Sequence, residues 1–239
     1  KGTNIINLIA IEQDEKIQTV LTVADGKKEG FLFMGTKQGI VKKTHISEFK
    51  NLRKNGLIAI SLKDGDELLK VKNTYGDANI IVVTQNGYAV RFNEQNVRAM
   101  GRTASGVKAI NLKDDDIAVC MDIAVDDEEL LVISENGFGK RTPIKEYKVQ
   151  NRGGVGLITY KISEKTGKLV GATVCKVDDE LMLINSSGVA IRINVSDISV
   201  TSRSAMGVTL MRTSDTEKVV AIAKILSNDD EKEEIDSEV

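Results

Sequence analysis

Two sets of basic residues recur along this chain at fixed offsets from glycines. Lys43, Arg91, Arg141 and Arg192 each stand four residues after Gly39, Gly87, Gly137 and Gly188. Arg53 and Lys54, then Arg102, Arg152 and Arg203, stand just before a second glycine series. Lys and Arg are rarely buried without a partner, so both sets read as a belt of exposed cations at equivalent positions of a repeated body. Such a belt can bind a polyanion, because phosphates accept from Lys and Arg with little dependence on base sequence. From the residues alone three readings stand: a nucleic-acid surface, a protein scaffold, and a solvated surface. In the last, Glu48, Glu146 and Asp197 would pair with the first series as struts between repeats. Unit two argues against struts, since its matching position is Asn96 and Arg91 would lack a partner.

Catalytic chemistry finds little support. His45 is the one histidine and has no counterpart in the other repeats. Cys120 and Cys175 sit inside apolar runs and read as reduced, buried thiols. Gly137-Phe138-Gly139 opens no helix, so it is not a dinucleotide fingerprint. Tyr147 and Tyr88 fall at a core slot and beside a turn, where structural roles suffice. No catalytic residue, metal ligand or cofactor is expected within this chain.

The elements that carry the cations are short strands. Residues 130–133 are a run of Leu, Leu, Val and Ile, followed by Asn136-Gly137, a strong hairpin signal because such a turn needs positive φ. The hairpin glycines are separated by 48, 50 and 51 residues. The second series, Gly2, Gly56, Gly106, Gly156 and Gly207, has spacings of 54, 50, 50 and 51. A period of about 50 with four strands per copy predicts an all-β, propeller-like array. The expected blades are residues 31–71, 79–125, 129–177 and 180–225, preceded by a partial blade over residues 1–23. That makes sixteen strands plus two at the start, each third strand (residues 157–162 in unit three) lying in its own blade. Phe49, Val97, Tyr147 and Ile198 fill one repeated core slot ten residues after each hairpin glycine.

With one proline, no tryptophan and 4% aromatic residues, the core must be Val, Ile and Leu, which suits strands. The longest apolar stretch, residues 5–11, is far short of the ~20 residues a membrane span needs, and a cytoplasmic setting is expected. Residues 227–239 hold seven acids against Lys232, which leaves the body at +4. This segment reads as a disordered acidic tail, able to compete with a polyanion for the belt.

The chain resembles the C-terminal domain family of the bacterial DNA gyrase A subunit. The match is carried by Glu12-Gln13-Asp14-Glu15, Gly39-Ile40-Val41-Lys42-Lys43-Thr44, Asp64-Gly65-Asp66-Glu67-Leu68 and Val97-Arg98-Ala99-Met100-Gly101. Asn136-Gly137-Phe138-Gly139-Lys140-Arg141-Thr142 and Gly207-Val208-Thr209-Leu210-Met211-Arg212-Thr213 extend it. The resemblance implies a β-pinwheel, a disc of six four-stranded blades that wraps double-stranded DNA around its basic rim in a positive sense. It also implies two protein partners, the N-terminal catalytic part of the same gyrase chain and the gyrase B subunit. A bacterial, nucleoid-associated setting and a monomeric domain come with it. The cleaving tyrosine would lie in the N-terminal part and the ATPase in the B subunit, so ATP and magnesium act elsewhere in the holoenzyme. Arg98, Lys140 and Lys148 join the candidate DNA contacts. The family's heptapeptide, Gln-Arg-Arg-Gly-Gly-Lys-Gly, is absent apart from Lys1-Gly2, so the chain reads as lacking blade one and half of blade two. The similar domain of the topoisomerase IV A subunit is the runner-up.

The tail yields a first prediction. Removing residues 227–239 should tighten DNA binding at low salt, with a gain that shrinks as screening rises. Equal affinities at low salt, measured by fluorescence anisotropy, would contradict it.

Overall fold

The computed structural model describes residues 15–21, 29–50 and 56–225. Among them are fifteen strands in four antiparallel sheets. The first unit supplies β1 (Phe31–Thr36), β2 (Ile40–His45) and β3 (Leu68–Thr74). The second supplies β4 (Asn79–Thr84), β5 (Tyr88–Asn93), β6 (Val107–Lys108) and β7 (Ala118–Ile123). The third has β8 (Glu129–Ser134), β9 (Phe138–Pro143), β10 (Leu157–Ile158) and β11 (Leu169–Cys175). The fourth has β12 (Glu180–Asn185), β13 (Ala190–Asn194), β14 (Val208–Thr209) and β15 (Val219–Ile225). A 3-10 turn follows the second strand of every unit, at Ile46–Phe49, Glu94–Asn96, Ile144–Glu146 and Val195–Asp197.

The sheets are not the contiguous blades expected from the repeat. Their orders are β3-β1-β2-β6, β7-β4-β5-β10, β11-β8-β9-β14 and β15-β12-β13. The third strand of units two to four therefore leaves its own hairpin and edges the preceding sheet, with Leu157 opposite Ala89 and Val208 opposite Gly139. An unpaired outer edge on β2, β5 or β9 would leave backbone donors and acceptors open, and the exchange covers it while tying neighbours together. The exchanged strands span two residues each, not six. Residues 57–62 of unit one form no strand, and β13 has no outer partner among the described residues. Residues 15–21, part of the partial blade expected at the start, also form no strand. The first half-unit otherwise, and the tail, lie outside the described residues.

Packing between neighbouring sheets explains the continuous apolar runs. Leu130 and Val132 pack with Ile81 and Val83 of the second sheet, while Leu131 and Ile133 pack with Leu181 and Leu183 of the fourth. Both faces of an interior sheet are buried, so alternation gives way to an unbroken run. Val97, Tyr147 and Ile198 of the repeated slot are buried as expected, and Phe49 is half-buried. At the hub, Lys72, Asp122 and Thr173 share one position on successive inner strands, where the fourth unit has Ala223. Lys72 Nζ lies 2.6 Å from Asp122 Oδ1, and Asp122 Oδ2 accepts from the Thr173 hydroxyl and the Val174 N–H. Burial opposes ionisation of Asp122, yet Lys72, Lys70 and the Val174 N–H hold its pKa below the usual carboxylate range.

Gly137 shows what the hairpin series is for. Its φ is +77°, and a Cβ there would lie 1.9 Å from the Met211 carbonyl oxygen of the next unit. Gly188 has a φ of +83° but open space around it, because no exchanged strand covers β13. Gly188→Ala should meet only the backbone penalty of about 1–2 kcal/mol, whereas Gly137→Ala should cost at least about 3 kcal/mol through the added clash. Equal losses in denaturant melts would contradict the exchange of strands.

Candidate nucleic-acid interface

The cations four residues after the hairpin glycines are not a surface belt. Lys43, Arg91 and Arg141 are buried, each about 5–6% exposed. Each reaches from its second strand into the 3-10 turn of the next unit and donates to carbonyl oxygens there. Lys43 Nζ donates to Glu94 O at 3.0 Å, and Arg91 Nη1 donates to Ile144 O and Tyr147 O at 3.3 and 3.2 Å. Arg141 Nε donates to Ile198 O at 2.8 Å and Nη2 to Ser196 O at 3.3 Å. A carboxylate completes each strut: Glu94 at 3.5 Å from Lys43, Asp126 at 2.5 Å from Arg91, and Glu129 at 2.5 Å from Arg141.

The expectation that these cations face solvent fails because each has partners that sequence spacing did not reveal. Struts between repeats do exist, but their acids are not Glu48, Glu146 or Asp197. Arg91, expected to lack an acid, finds Asp126 in the link between units. Glu94 is fully buried and also accepts from Thr74, Gly76 and Ala78. Arg192 differs because no further unit offers it a turn among the described residues. It is exposed and pairs with Glu180 of its own sheet.

The corner arginines hold the rim. Arg102, Arg152 and Arg203 are half-buried, and each lays part of its guanidinium on the preceding unit. Arg102 Nη1 donates to Ile58 O at 3.3 Å, Arg152 Nη1 to Lys108 O at 3.0 Å, and Arg203 Nη1 to Ile158 O at 3.1 Å. Arg152 Nε also reaches Asn96 O at 2.9 Å. A guanidinium has five donors in a planar fork, so donors remain on each for an oxyanion. Arg98 and Lys148 are exposed just after the 3-10 turns. They share a position with exposed Lys50, eleven residues after the hairpin glycine, while Ser199 stands there in unit four. Lys50 was missed, although that spacing pointed to it. Arg53 and Lys54 lie outside the described residues.

Lys140, another expected contact, is fully buried and donates to Ser202 O and Arg203 O at 2.5 Å. Lys42 is its counterpart in unit one, donating to Ala59 O at 2.5 Å and to Arg102 O. Burial pushes Lys42 down to about 8, helped by the Arg102 charge. Burial likewise pushes Lys140 down to about 8, with Glu146 opposing the fall and Arg203 adding to it.

His45 lies against the Phe31 ring, with centroids 4.3 Å apart. Both cysteines are buried free thiols, and burial pushes Cys175 up to about 12. Among the described residues no three His, Cys, Asp or Glu side chains are placed to hold a metal, and no helix is long and apolar enough to cross a membrane.

Strand-exchanged blades with cations repeated along the outer edge define an all-β propeller array with a basic rim. The model of the DNA gyrase C-terminal domain, beta-propeller, matches residues 30–74, 78–119, 128–176 and 179–225, and the chain belongs to that family. It is 62% identical over 239 residues to the DNA gyrase A subunit of Clostridium acetobutylicum, covering 100% of this chain and 29% of the relative. Identity to the same subunit of Halalkalibacterium halodurans is 51% over 237 residues, with 99% and 28% covered. The chain thus spans under a third of these relatives. Among solved structures, the C-terminal domain of DNA topoisomerase IV superposes with a TM-score of 0.88 at 29% identity, covering 94% of this chain and 70% of that one. A DNA gyrase A C-terminal domain gives 0.83 at 29% identity, covering 95% and 76%.

The struts make a direct prediction. Lys43→Met, Arg91→Met and Arg141→Met should each cost about 2–4 kcal/mol, since each orphans buried carbonyls or a buried carboxylate. Arg192→Met should leave the melting temperature unchanged. Unfolding curves that treat all four alike would overturn the assignment.

Proposed function

We propose that this chain binds duplex DNA along its rim and bends it as the DNA-wrapping module of a gyrase. The observation that carries the reading is the repetition of rim cations in successive units: Lys50, Arg98 and Lys148 outermost, with Arg102, Arg152 and Arg203 beneath them. DNA resists bending over its persistence length of about 150 bp, so a wrap needs phosphate contacts spread along its path. A cation at the same radius in each blade supplies such contacts with little sequence readout. The relatives named as DNA gyrase A subunits support this reading over the topoisomerase IV alternative. In it, the wrapped segment is presented to the N-terminal catalytic part and the B subunit, which supply cleavage and ATP with magnesium, and the holoenzyme introduces negative supercoils.

Lys50, Arg98 and Lys148 stand clear of the struts, so they give the cleanest test. Replacing all three with Ala should lower the slope of log affinity against log salt by about 2.7, at about 0.9 per phosphate contact. The melting temperature should hold. A wild-type slope in the triple variant would count against the rim as the DNA path.

A further inference from the structure

Lys42 and Lys140 have no place in the rim reading as contacts, since both are fully buried. Their ammonium groups instead end under the two corners that carry Arg102 and Arg203. Lys140 Nζ binds the carbonyl of Arg203 itself and that of Ser202. Lys42 Nζ binds the carbonyl of Ala59 in its own unit and, across the exchange, that of Arg102. On its other side Arg203 donates its guanidinium to Ile158 O, and its backbone N–H donates to Glu146 Oε2 at 3.2 Å. Each corner is thus gripped through its main chain from within, and its arginine stays at the surface with donors to spare. The matching residues in units two and four are Val90 and Ile191, so the device belongs to alternate blades.

A buried lysine is a costly way to hold a loop, because desolvation disfavours its charge, and an apolar side chain fills the same slot in the other two units. We propose that Lys42 and Lys140 are positioning residues for DNA: they fix the corner backbones so that Arg102 and Arg203 meet the phosphates. This rests on the rim reading above. A charge-assisted grip on two carbonyls is stronger than the neutral amine's, and a phosphate arriving over the corner favours the ammonium. The charged groups facing these lysines are Arg102 for Lys42, and Glu146 with Arg203 for Lys140. Both lysines sit near 8 in the free protein, so a nearby phosphate raises that value and the complex holds more protons than its parts. DNA affinity must then fall as pH rises through about 8. The lysines' contribution to folding runs the other way between about pH 8 and 10, since the unfolded state holds more protons there.

The test is a double-mutant cycle on DNA affinity at fixed salt, using Lys140→Met, Arg203→Ala and the pair, with Lys42→Met and Arg102→Ala as an independent second cycle. Lys140→Val, which copies Val90 of unit two, serves if the Met variant fails to fold, and melting temperatures accompany every protein. Lys140→Met should weaken binding about fivefold when Arg203 is present and hardly at all when it is gone, a coupling within the range seen for side chains in contact. The wild type should lose affinity from pH 7 to 9.5, and a folded Lys42→Met/Lys140→Met protein should give a flat profile. If the lysine variants weaken binding equally with or without the arginines, or keep the wild-type pH profile, the lysines are structural and the proposal falls alone. If Arg102→Ala and Arg203→Ala leave affinity untouched, the corners are not DNA contacts and the rim reading fails at these positions with it.

Discussion

Everything in this fold depends on one hand-over between neighbours. Each unit after the first keeps three strands and gives its third to the sheet before it, while the second strand of that sheet sends a cation forward into the giver's 3-10 turn. The two connections run in opposite directions across the same junction. One is backbone pairing, as between β9 and β14, and the other is a charge-assisted grip on turn carbonyls, as between Arg141 and Ile198 O. A buried guanidinium is tolerable there because its desolvation is offset by carbonyls and a carboxylate together. Where no next unit follows among the described residues, the same sequence position behaves as ordinary surface, as Arg192 and Gly188 show.

The repeat itself was legible because glycine is demanded wherever neighbouring backbones approach closely. Gly137 and Gly207 sit on either side of one junction, and each would drive a Cβ into the other unit's carbonyl. Their recurrence therefore recorded blade number and period. What the spacing did not record was which sheet each third strand joins, because a two-residue strand such as Leu157–Ile158 reads the same in either place. The burial of Lys43, Arg91 and Arg141 was hidden for a related reason. Their main acceptors are main-chain oxygens, which leave no mark in side-chain chemistry. The acids of the three struts occupy different places, at Glu94, Asp126 and Glu129, and of these only Glu129 has a matching partner acid, Glu180 beside Arg192, so no full fourth series advertised them.

The division of labour among the cations follows from their position in the repeat. Those nearest the hairpin turn inward and stitch blades wherever a next unit follows among the described residues, as Lys43, Arg91 and Arg141 do. The corner arginines are shared, half spent on the neighbour's carbonyl and half facing out. Lys50, Arg98 and Lys148, one residue past the repeated core slot, face solvent because the preceding side chain has already turned inward. Outer cations carried at one repeated position of successive blades form a series of charges, which is what a stiff polyanion needs if bending it is to be repaid.

The most direct test of the rim as the DNA path is site-specific photocrosslinking. A photoreactive residue placed at Arg98, Lys148 or Ser199, equivalent positions in three units, should crosslink to duplex DNA from each site. The same probe at Tyr75, Val125 or Val177, exposed residues at the inner-strand ends, should not. Crosslinks from the inner-strand ends with none from the three rim positions would contradict the account.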